Sequence, residues 1–554
     1  MFGRRHYKDP ELNPDDIFLD ATNLPEFNQS SLEGRLEKPI GQSTYLGLFI
    51  VSFLIFGALV AQAANLELIQ GSKYASQSER NRLRPEVLFA QRGAILDRNG
   101  VSLVSNVESD DGSVKRTYES PGFGHLLGYV SYPKKDSSGH YYDTVITGLA
   151  GVESAFNETL SGENGTLLVE EDALGHVQSQ GSVKPAQHGE SLTLSIDAHA
   201  QRAFYDAIKE TADKVPYQGG AGVLMDVNTG EVIALVSYPE YDPNVLSSGG
   251  PSDIIASYSR DSRQPYLDRP VNGLYTPGSI VKPLITSGAM TDGIIAPETS
   301  IYSSGSISIP NPYDPKNPTV FKDWKALGAM DMRHAIAWSS DVYFYSVTGG
   351  FGAQKGLGIE RLKYWYEAFG LTKPTGIELA GEKSGFVPSP AWKEETLKEP
   401  WRIGNTYHTG IGQYAMQITP LAAARSIAAV ANGGKLVKPT LIKDPPLAGQ
   451  SIPVSQAALQ VAREGMRLGV TEGTSLGLND LSFVRIAGKT GTAQLGFRNE
   501  FYNTWAVGFF PYENPKYVYA VVMEKGPAGT SIGGIYAMHH FFTNLRAASP
   551  DFFK

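Results

Sequence analysis

A serine and a lysine stand three positions apart in the stretch LYTPGSIVKPL, which covers residues 274–284. If a helix begins near Pro277, where the fixed φ and the missing N–H of proline do no harm, Ser279 and Lys282 lie one turn apart on the same face. A hydroxyl beside an amine could act as a nucleophile beside its base. Both residue types are common, however, and SYPK at 131–134 repeats the spacing in loop-like sequence. The pair alone does not define a catalytic site.

Two further stretches follow this pair in an informative order. SSDVYFY, residues 339–345, places Ser339 two positions before Asp341, and GKTGTAQ, residues 488–494, contains a Lys-Thr-Gly-Thr run. Ser-x-x-Lys, then Ser-x-Asn or Ser-x-Asp, then Lys-Thr-Gly is the ordered set of motifs in penicillin-recognising serine enzymes. Together the three motifs indicate acyl transfer with Ser279 as the nucleophile.

The similarity extends well beyond the three motifs. Blocks between residues 91 and 494 resemble, in their order, those of class B penicillin-binding proteins: QRGAILDRNGVSLVSN, GLAGVESAFNETLSGENG, YTPGSIVKPL, SSDVYFY, GIELAGEKSGFVPSP, ITPLAAARSIAAVANGG and GKTGTAQ. Members of that family have a short cytoplasmic tail, one anchor helix, an extended pedestal and a D,D-transpeptidase domain that cross-links peptidoglycan. The resemblance therefore implies an enzyme that acts on peptidoglycan stem peptides and that β-lactams inhibit covalently.

The resemblance implies catalytic roles for four residues. Ser279 attacks the penultimate D-Ala carbonyl to form an acyl-enzyme, and Lys282 accepts the proton of the serine. A lysine amine with its usual pKa of about 10.4 is almost always protonated at neutral pH, so we expect burial and a second cation to lower the pKa of Lys282. The resemblance supplies that cation as Lys489, and it makes Ser339 the relay that passes the proton to the leaving amine.

The remaining motif residues are expected to bind the substrate. By resemblance, the hydroxyls of Thr490 and Thr492 hold the terminal carboxylate, and Gly491 keeps the strand edge open for the substrate backbone. The backbone N–H groups of Thr492 and of the nucleophile form the oxyanion hole. Asp341 either contacts Lys282 and the substrate amide or simply caps or solvates a helix, because short polar residues favour such positions.

Some positions depart from the family pattern. Asp341 replaces the commoner Asn of the second motif, and relatives with Asp there resemble the elongation-type enzymes more than the division type. Some elongation-type relatives also hold a metal with the help of a Gly-His-Gly sequence and a Cys, but the matching residues here are Gly-Ala-Met at 328–330 and Ser340. We therefore expect no metal and no other cofactor.

Two residues at the edge of the predicted cleft and one histidine lie near the motifs. Tyr414 stands where the family usually has Gly, and Thr276 stands where Pro is common, both at the edge of the predicted cleft. His334 belongs to a predicted helix, DMRHAIAW, and is interpreted as structural, since lone histidines serve many roles.

Other functions are kept as alternatives. A division-type transpeptidase would carry the same motifs. A membrane β-lactamase or antibiotic sensor shares the serine chemistry but should lack the RGAILDRNG block and a long pedestal. A catalytically inactive scaffold of wall synthesis would have a degenerate site, whereas all three motifs are intact. No glycosyltransferase domain is visible before residue 190, so we expect a membrane glycosyltransferase partner to polymerise the glycan.

The composition argues against nucleic acid as a partner and against cysteine chemistry. The chain of 554 residues carries 48 Lys and Arg against 57 Asp and Glu, so its net charge of -9 leaves no basic surplus for nucleic acid. It contains no cysteine, which excludes disulfides, thiolate nucleophiles and cysteine metal sites. The length is sufficient for two or three domains with at least one sizeable core.

An uncharged apolar segment predicts a membrane anchor at residues 45–66. Its run of apolar or small residues, 45–61, is about the minimum for a bilayer core of roughly 30 Å. A cleaved signal peptide is the alternative, because Ala61 and Ala63 form an A-x-A-like site, but the preceding region is far longer than a signal n-region. Basic residues flank both ends, so charge alone does not orient the span. By resemblance, it is a single pass through the bacterial cytoplasmic membrane with the catalytic domain outside the cytoplasm.

The elements that must position the motifs indicate an α+β fold. Residues 1–44 predict a mobile cytoplasmic tail, 70–190 a turn-rich, β-rich pedestal of the dimerisation type, and 191–554 the transpeptidase domain. AHAQRAFYDAIKETADKV has the spacing of a helix, whereas AGVLMDVNTGEVIALVSYP and NTWAVGFFPYENPKYVYAVVMEK predict hairpins. We therefore expect a transpeptidase domain with an antiparallel sheet flanked by helices.

Overall fold

The computed structural model describes residues 41–108, 114–171, 176–311, 314–496 and 498–553. The predicted tail lies, up to residue 40, outside these described residues. The chain divides into two compact units, of which one holds residues up to 84 together with 169–180 and the other holds 85–168 together with 181–554.

The first unit contains the predicted membrane anchor. An α-helix, Gln42–Ala64, continues as a π-helical turn, Asn65–Ile69, and a second helix follows at Gly71–Arg82. The continuous helical segment Gln42–Ile69 is long and apolar enough to cross a membrane, and the most apolar part of it is not buried in the structure. Because so much exposed apolar surface is costly in water, the segment fits a bilayer rather than a protein core.

Short strands and turns follow these helices, in a stretch that belongs to the second unit except for residues 83–84 and 169–180. Between residues 83 and 193 the strands are Leu83–Leu88, Ile95–Leu96, Ser102–Glu108, Val114–Tyr118, Val130–Ser131, Lys134–Lys135, Tyr141–Asp143, Thr147–Gly148, Gly165–Glu171, Val177–Lys184 and Leu192–Thr193. The short helices of this stretch are Gly124–Leu127, Gly151–Ala155 and Asn157–Ser161. This stretch is β-rich, and the domain boundaries drawn from the sequence remain predictions.

A buried carboxylate joins two arginines in this β-rich part. Glu153 accepts from Arg92 Nε at 2.5 Å and from Arg116 Nε at 2.6 Å, and the side chains of all three residues are no more than 1% exposed. Arg92 also donates to the Glu153 carbonyl at 2.7 Å. Among the residues that the structure describes, the two guanidinium groups therefore share a single carboxylate as their countercharge.

We expect Glu153→Gln to destabilise the protein by about 3–5 kcal/mol, because it leaves two buried cations without a countercharge. Thermal denaturation of the full-length protein in detergent measures the loss. Glu163→Gln is the matched control, since the ion pair of Glu163 with Lys184 is exposed and contributes only about 0–1 kcal/mol. Equal melting temperatures for the two variants would contradict the structural role of Glu153.

A five-stranded antiparallel sheet forms the centre of the predicted transpeptidase domain. Its strand order is Val232–Tyr238, Gly219–Asp226, Tyr517–Pro527, Phe501–Phe510 and Ala487–Leu495. Both predicted hairpins are present. They are joined by antiparallel pairing of the strands Gly219–Asp226 and Tyr517–Pro527, with Gly220 opposite Met523. The strand that carries the third motif lies at the edge of the sheet.

Helices cover both faces of the central sheet. On one face, the predicted helix Ala198–Lys214 packs beside Gly534–Ala548, with the rings of Phe204 and Phe541 4.5 Å apart. On the other face lie Lys282–Thr291, Pro420–Ala431 and Gln456–Thr471. The predicted α+β fold is confirmed, and the Ser279 turn lies against the edge strand of the sheet.

The other elements of this domain are short and lie around the sheet and its helices. The remaining helices are Pro243–Ser248, Ser252–Arg260, Arg269–Asn272, Gly278–Val281, Met332–Ala337, Asp341–Gly349, Gly358–Ala368, Pro390–Leu397, Ile403–Gly410, Leu476–Leu478 and Pro550–Phe553. The remaining strands are Ile301–Ser303, Ser306–Ile309, Thr319–Lys322, Gly328–Met330, Lys435–Val437 and Gly449–Ser451.

Candidate active site

The first motif begins a helix, as the sequence predicts. A 3₁₀ turn at Gly278–Val281 follows Pro277 and leads directly into the α-helix Lys282–Thr291. Gly278 has a φ of 59°, and a Cβ there would lie 2.7 Å from the carbonyl oxygen of Thr492, so the close approach of this turn to the edge strand requires glycine. Ser279 therefore lies half-buried beside the third motif.

Lys282 brings the first and second motifs together. Its side chain is fully buried, and Nζ donates to the Ser339 carbonyl at 2.8 Å, to Ser339 Oγ at 3.2 Å and to Asp341 Oδ1 at 2.6 Å. An ammonium has three donors, and these three acceptors use all of them. Of the two readings of Asp341, the structure therefore contains the contact with Lys282, and Asp341 is also the first residue of the helix Asp341–Gly349.

No hydrogen bond between Ser279 Oγ and Lys282 Nζ is present among the residues that the structure describes. Catalytic hydrogen bonds often tighten only when the substrate is bound. For Lys282 to accept the serine proton, one of its three contacts with the second motif must be released. The arrangement thus couples proton uptake by Lys282 to Ser339 and Asp341.

The third motif lies on the edge strand Ala487–Leu495 and alternates between two faces. Lys489 and Gly491 are buried on one face, whereas Thr490 is half-buried and Thr492 is exposed on the other. Lys489 Nζ donates to the Thr490 carbonyl at 2.9 Å. Burial, and then the positive charge of Lys282, hold the pKa of Lys489 well below its usual value, while Asp341 acts in the opposite direction.

The two cations predicted to interact at the site are Lys282 and Lys489. The repulsion between Lys282 and Lys489 is present, and it acts together with burial on the pKa of Lys489. The expectation that burial and Lys489 lower the pKa of Lys282 stays a prediction.

Gly491 has a packing role at this strand. A Cβ at Gly491 would lie 2.7 Å from the Pro277 carbonyl oxygen and 2.8 Å from Cγ2 of Ile280. Glycine thus lets the edge strand approach the turn that carries Ser279. The role expected from the sequence, an open strand edge for the substrate backbone, stays a prediction.

The carbonyl and N–H groups of Thr492 point away from the sheet. The carbonyl accepts from Nε2 of Gln413 at 3.1 Å, and because the N–H and C=O of one residue in a strand point to the same side, the Thr492 N–H faces that side too. The N–H groups of the first helical turn, which includes Ser279, have no acceptor within the helix. Thr492 and Ser279 therefore offer two N–H groups on neighbouring elements.

Thr490 has a partner that the motifs do not include. Its Oγ1 donates to Oγ1 of Thr474 at 2.7 Å, and the Thr474 N–H donates to the Ala337 carbonyl at 3.0 Å. Sequence reasoning missed Thr474 and Gln413, and it also missed Asp323, whose carboxylate accepts from Ser340 Oγ at 2.7 Å. Thr474 and Asp323 lie in no recognisable motif, so no sequence signal could have identified them, whereas Gln413 directly precedes Tyr414, a position compared above with the family pattern.

The departures from the family pattern have specific surroundings. Tyr414 has a φ of 56°, its ring packs edge-on against Trp392 and Trp401, and its buried hydroxyl has no hydrogen-bond partner among the described residues. The Thr276 carbonyl accepts from Nε1 of Trp505 at 3.0 Å.

His334, which is interpreted from the sequence as structural, has a defined place. His334 lies on the helix Met332–Ala337 and bonds Asp331 at 2.6 Å. Within the described ranges, no group of three or more His, Cys, Asp or Glu residues is placed to hold a metal ion.

The lowered pKa of Lys489 predicts a pH-dependent affinity. A substrate carboxylate near Lys489 favours the protonated lysine, so binding takes up a proton wherever Lys489 is neutral. The affinity for a peptide ending in D-Ala-D-Ala should therefore be highest below the lowered pKa and fall as pH rises through it. In Lys489→Arg the guanidinium stays protonated, so that fall should disappear. Calorimetric titrations over a pH series test this, and equal pH slopes for both proteins would contradict it.

Comparison with known families agrees with this geometry. A model described as the penicillin binding protein transpeptidase domain matches residues 220–540, more than half of the chain, and one described as the penicillin-binding protein dimerisation domain matches residues 110–194. The first match contains all three motifs that meet at the site.

Individual relatives and structures carry related names. Peptidoglycan D,D-transpeptidase MrdA of Haemophilus influenzae is 33% identical, and the match covers 74% of this chain and 65% of the relative. MrdA of Escherichia coli is 27% identical, and the match covers 88% of this chain and 91% of the relative. The complex between PBP2 and MreC from Helicobacter pylori has a TM-score of 0.69 at 25% identity, covering 84% of this chain and 99% of that one. A chain of a peptidoglycan synthase complex that coordinates polymerisation and crosslinking has a TM-score of 0.72 at 25% identity. The match covers 92% of this chain and 98% of that one.

The two matched domains follow a segment that is apolar enough to be a membrane anchor, and the curated relatives are peptidoglycan D,D-transpeptidases. The chain therefore belongs to the penicillin-binding protein transpeptidase family, within the class B peptidoglycan D,D-transpeptidases.

Proposed function

We propose that this chain cross-links peptidoglycan stem peptides through an acyl-enzyme formed on Ser279. One observation carries the proposal: the buried Lys282 ammonium, one helical turn beyond Ser279, bonds both Ser339 and Asp341. A nucleophile, a base and a proton relay thereby lie on adjoining elements, as covalent acyl transfer requires.

The reaction begins with attack by Ser279 Oγ on the carbonyl carbon of the penultimate D-Ala. The Oγ–C bond forms, the C–N bond to the terminal D-Ala breaks, and the amine leaves with a proton. Lys282 accepts the serine proton, and Ser339, whose Oγ lies 3.2 Å from Lys282 Nζ, passes a proton to the departing nitrogen. An amine of a second stem peptide then attacks the ester and regenerates Ser279.

Electrostatic groups support the charged species along this path. The N–H groups of Ser279 and Thr492 stabilise the oxyanion, an interaction whose loss costs about 10²–10³ in rate in other enzymes. Thr490 and Thr492 hold the terminal carboxylate, with the charge of Lys489 behind them. A β-lactam follows the same acylation step, but its amine stays attached to the acyl group.

The elongation role is favoured over the division role. The curated relatives described above carry the name MrdA, whereas FtsI of Escherichia coli is 28% identical over 74% of this chain and 62% of its own length. Asp341 in the second motif also favours the elongation role, because relatives with Asp at that position resemble the elongation-type enzymes. The chain is thus proposed to act in lateral wall synthesis and cell shape.

The proposed location and partners follow from the anchor and from the solved complexes. The segment Gln42–Ile69 crosses the cytoplasmic membrane once and leaves the catalytic domain on the outer side. The Helicobacter relative was solved with MreC, and another similar chain belongs to a complex that couples polymerisation to crosslinking. We propose a membrane glycosyltransferase as the polymerising partner of this chain.

Labelling of membranes with a fluorescent penicillin separates this function from its rivals. The full-length protein should form a covalent adduct that lasts for hours, and with polymerase and lipid-linked precursor it should produce cross-linked muropeptides that penicillin prevents. An adduct lost within minutes would identify a β-lactamase, and the absence of any adduct would identify an inactive scaffold.

A further inference from the structure

Ser339 has a backbone conformation that needs external support. Its φ is 60°, in the left-handed region that residues other than glycine seldom adopt, and the residue is only 8% exposed. Such conformations persist only where the surrounding structure over-determines them. Ser339 presents both its carbonyl and its hydroxyl to Lys282, so its placement matters for the proton path.

Two consecutive residues, Asp323 and Trp324, bond the chain on both sides of Ser339. Before it, Nε1 of Trp324 donates to the carbonyl of Trp338 at 3.0 Å. After it, the Asp323 carboxylate accepts from Ser340 Oγ at 2.7 Å and from the Asp341 N–H at 3.0 Å. The Val342 N–H adds a longer bond of 3.2 Å to the same carboxylate.

Asp323 is itself firmly held. It is 8% exposed and accepts from Ser303 Oγ at 3.0 Å, which ties it to the strand Ile301–Ser303. Its carboxylate lies at the N-terminus of the helix Asp341–Gly349, where free N–H groups and the helix dipole favour a negative charge. The Lys325 ammonium lies 4.4 Å and 4.3 Å from the ring centroids of Trp324 and Trp338, and so joins the two rings.

We propose that Asp323 and Trp324 form a brace that holds Ser339 in position to protonate the leaving amine. The inference rests on the proposed function and adds two positioning residues to it. The brace acts through Ser339, because its bonds go to the residues on either side of that serine. Weakening it should therefore impair proton delivery more than nucleophilic attack.

The leaving group distinguishes these two steps. When an amide is the donor, the C–N bond breaks only as the nitrogen gains a proton, so Ser339 must be in place. When a thioester of the same acyl group is the donor, the C–S bond breaks to release a thiolate, and the serine proton stays on Lys282. A brace variant should therefore lose activity on the amide and retain much of it on the thioester.

The test compares Trp324→Phe and Asp323→Asn with the wild type on matched amide and thioester donors, using the full-length protein in detergent. We expect the amide acylation rate to fall by about 10²-fold, the order of loss that a small misplacement causes, with a far smaller loss on the thioester. Trp324 is 53% exposed, so its variant should fold even if Asp323→Asn does not. Trp401→Phe is the matched control, because it removes an indole N–H that bonds Thr406 instead.

Each outcome decides a different point. A lower ratio of amide to thioester rates in the brace variants, with the ratio unchanged in Trp401→Phe, supports the brace. Equal losses on both donors would reduce Asp323 and Trp324 to structural residues, and unchanged rates would remove the proposal altogether. If the wild type acylates with neither donor, the proposed function itself fails.

Discussion

Ser279→Ala is expected to abolish covalent labelling of the protein by penicillin and to abolish cross-linking. The acyl-enzyme ester forms on the serine hydroxyl, and alanine has no group that can replace it, so no acylation remains at this position. In serine enzymes whose catalytic residues act as a unit, removing the nucleophile costs on the order of 10⁶-fold in kcat. Gel fluorescence with a labelled penicillin and muropeptide analysis measure both losses.

Ser287→Ala provides a matched control on the same helix. Ser287 is buried, and its Oγ donates only to the Pro283 carbonyl at 2.8 Å, so its loss removes a hydroxyl without touching the site. This variant should label like the wild type. A penicillin adduct retained by Ser279→Ala would show that another residue is the nucleophile.

Lys282→Arg is expected to lower the acylation rate by about 10²–10⁴-fold, the usual contribution of a general base. The substitution keeps a positive charge near Asp341 but removes any accessible neutral base, because a guanidinium stays protonated. Stopped-flow or quench measurements of the second-order acylation rate test the loss.

Placing a larger guanidinium in a buried site could also disturb packing, and Lys393→Arg controls for that effect. Lys393 is 4% exposed and donates to the Pro400 carbonyl and to Asn405 Oδ1, both at 3.1 Å, so it is a buried lysine outside the motifs. Lys393→Arg should acylate like the wild type. Wild-type acylation by Lys282→Arg would show that another group is the base.

The candidate site could largely be predicted because its residues lie in short motifs of fixed order. Spacing alone places Ser279 and Lys282 on one helical face, whereas the place of Lys489 near them was expected from the family resemblance. The contact of Lys282 with Asp341 was one of two predicted readings, and the structure contains it at 2.6 Å.

The supports of the site could not be predicted, because they come from distant positions without a motif. Asp323 and Trp324 reach the second motif from a connecting segment, and Thr474 reaches Thr490 from the turn that follows the helix Gln456–Thr471. Nothing local in KDWK or EGTS indicates these bonds. The positive φ of Ser339 is equally invisible, since it is set by tertiary contacts rather than by residue type.

The fold shows the same division between local and distant information. The helix Ala198–Lys214 and both hairpins follow from hydrophobic periodicity and turn residues. The pairing of Gly219–Asp226 with Tyr517–Pro527 does not, because the two strands are separated by most of the domain. That pairing brings the third motif, at the edge of the sheet, beside the Ser279 turn.

Mapping the penicillin adduct identifies the nucleophile directly. Cleavage after Tyr275 and Leu284 by chymotrypsin releases TPGSIVKPL, in which Ser279 is the only serine. We predict that mass spectrometry of the acylated full-length protein finds the added mass on this peptide, with fragment ions that place it on Ser279. An adduct on any other peptide, with this one unmodified, would show that Ser279 is not the nucleophile.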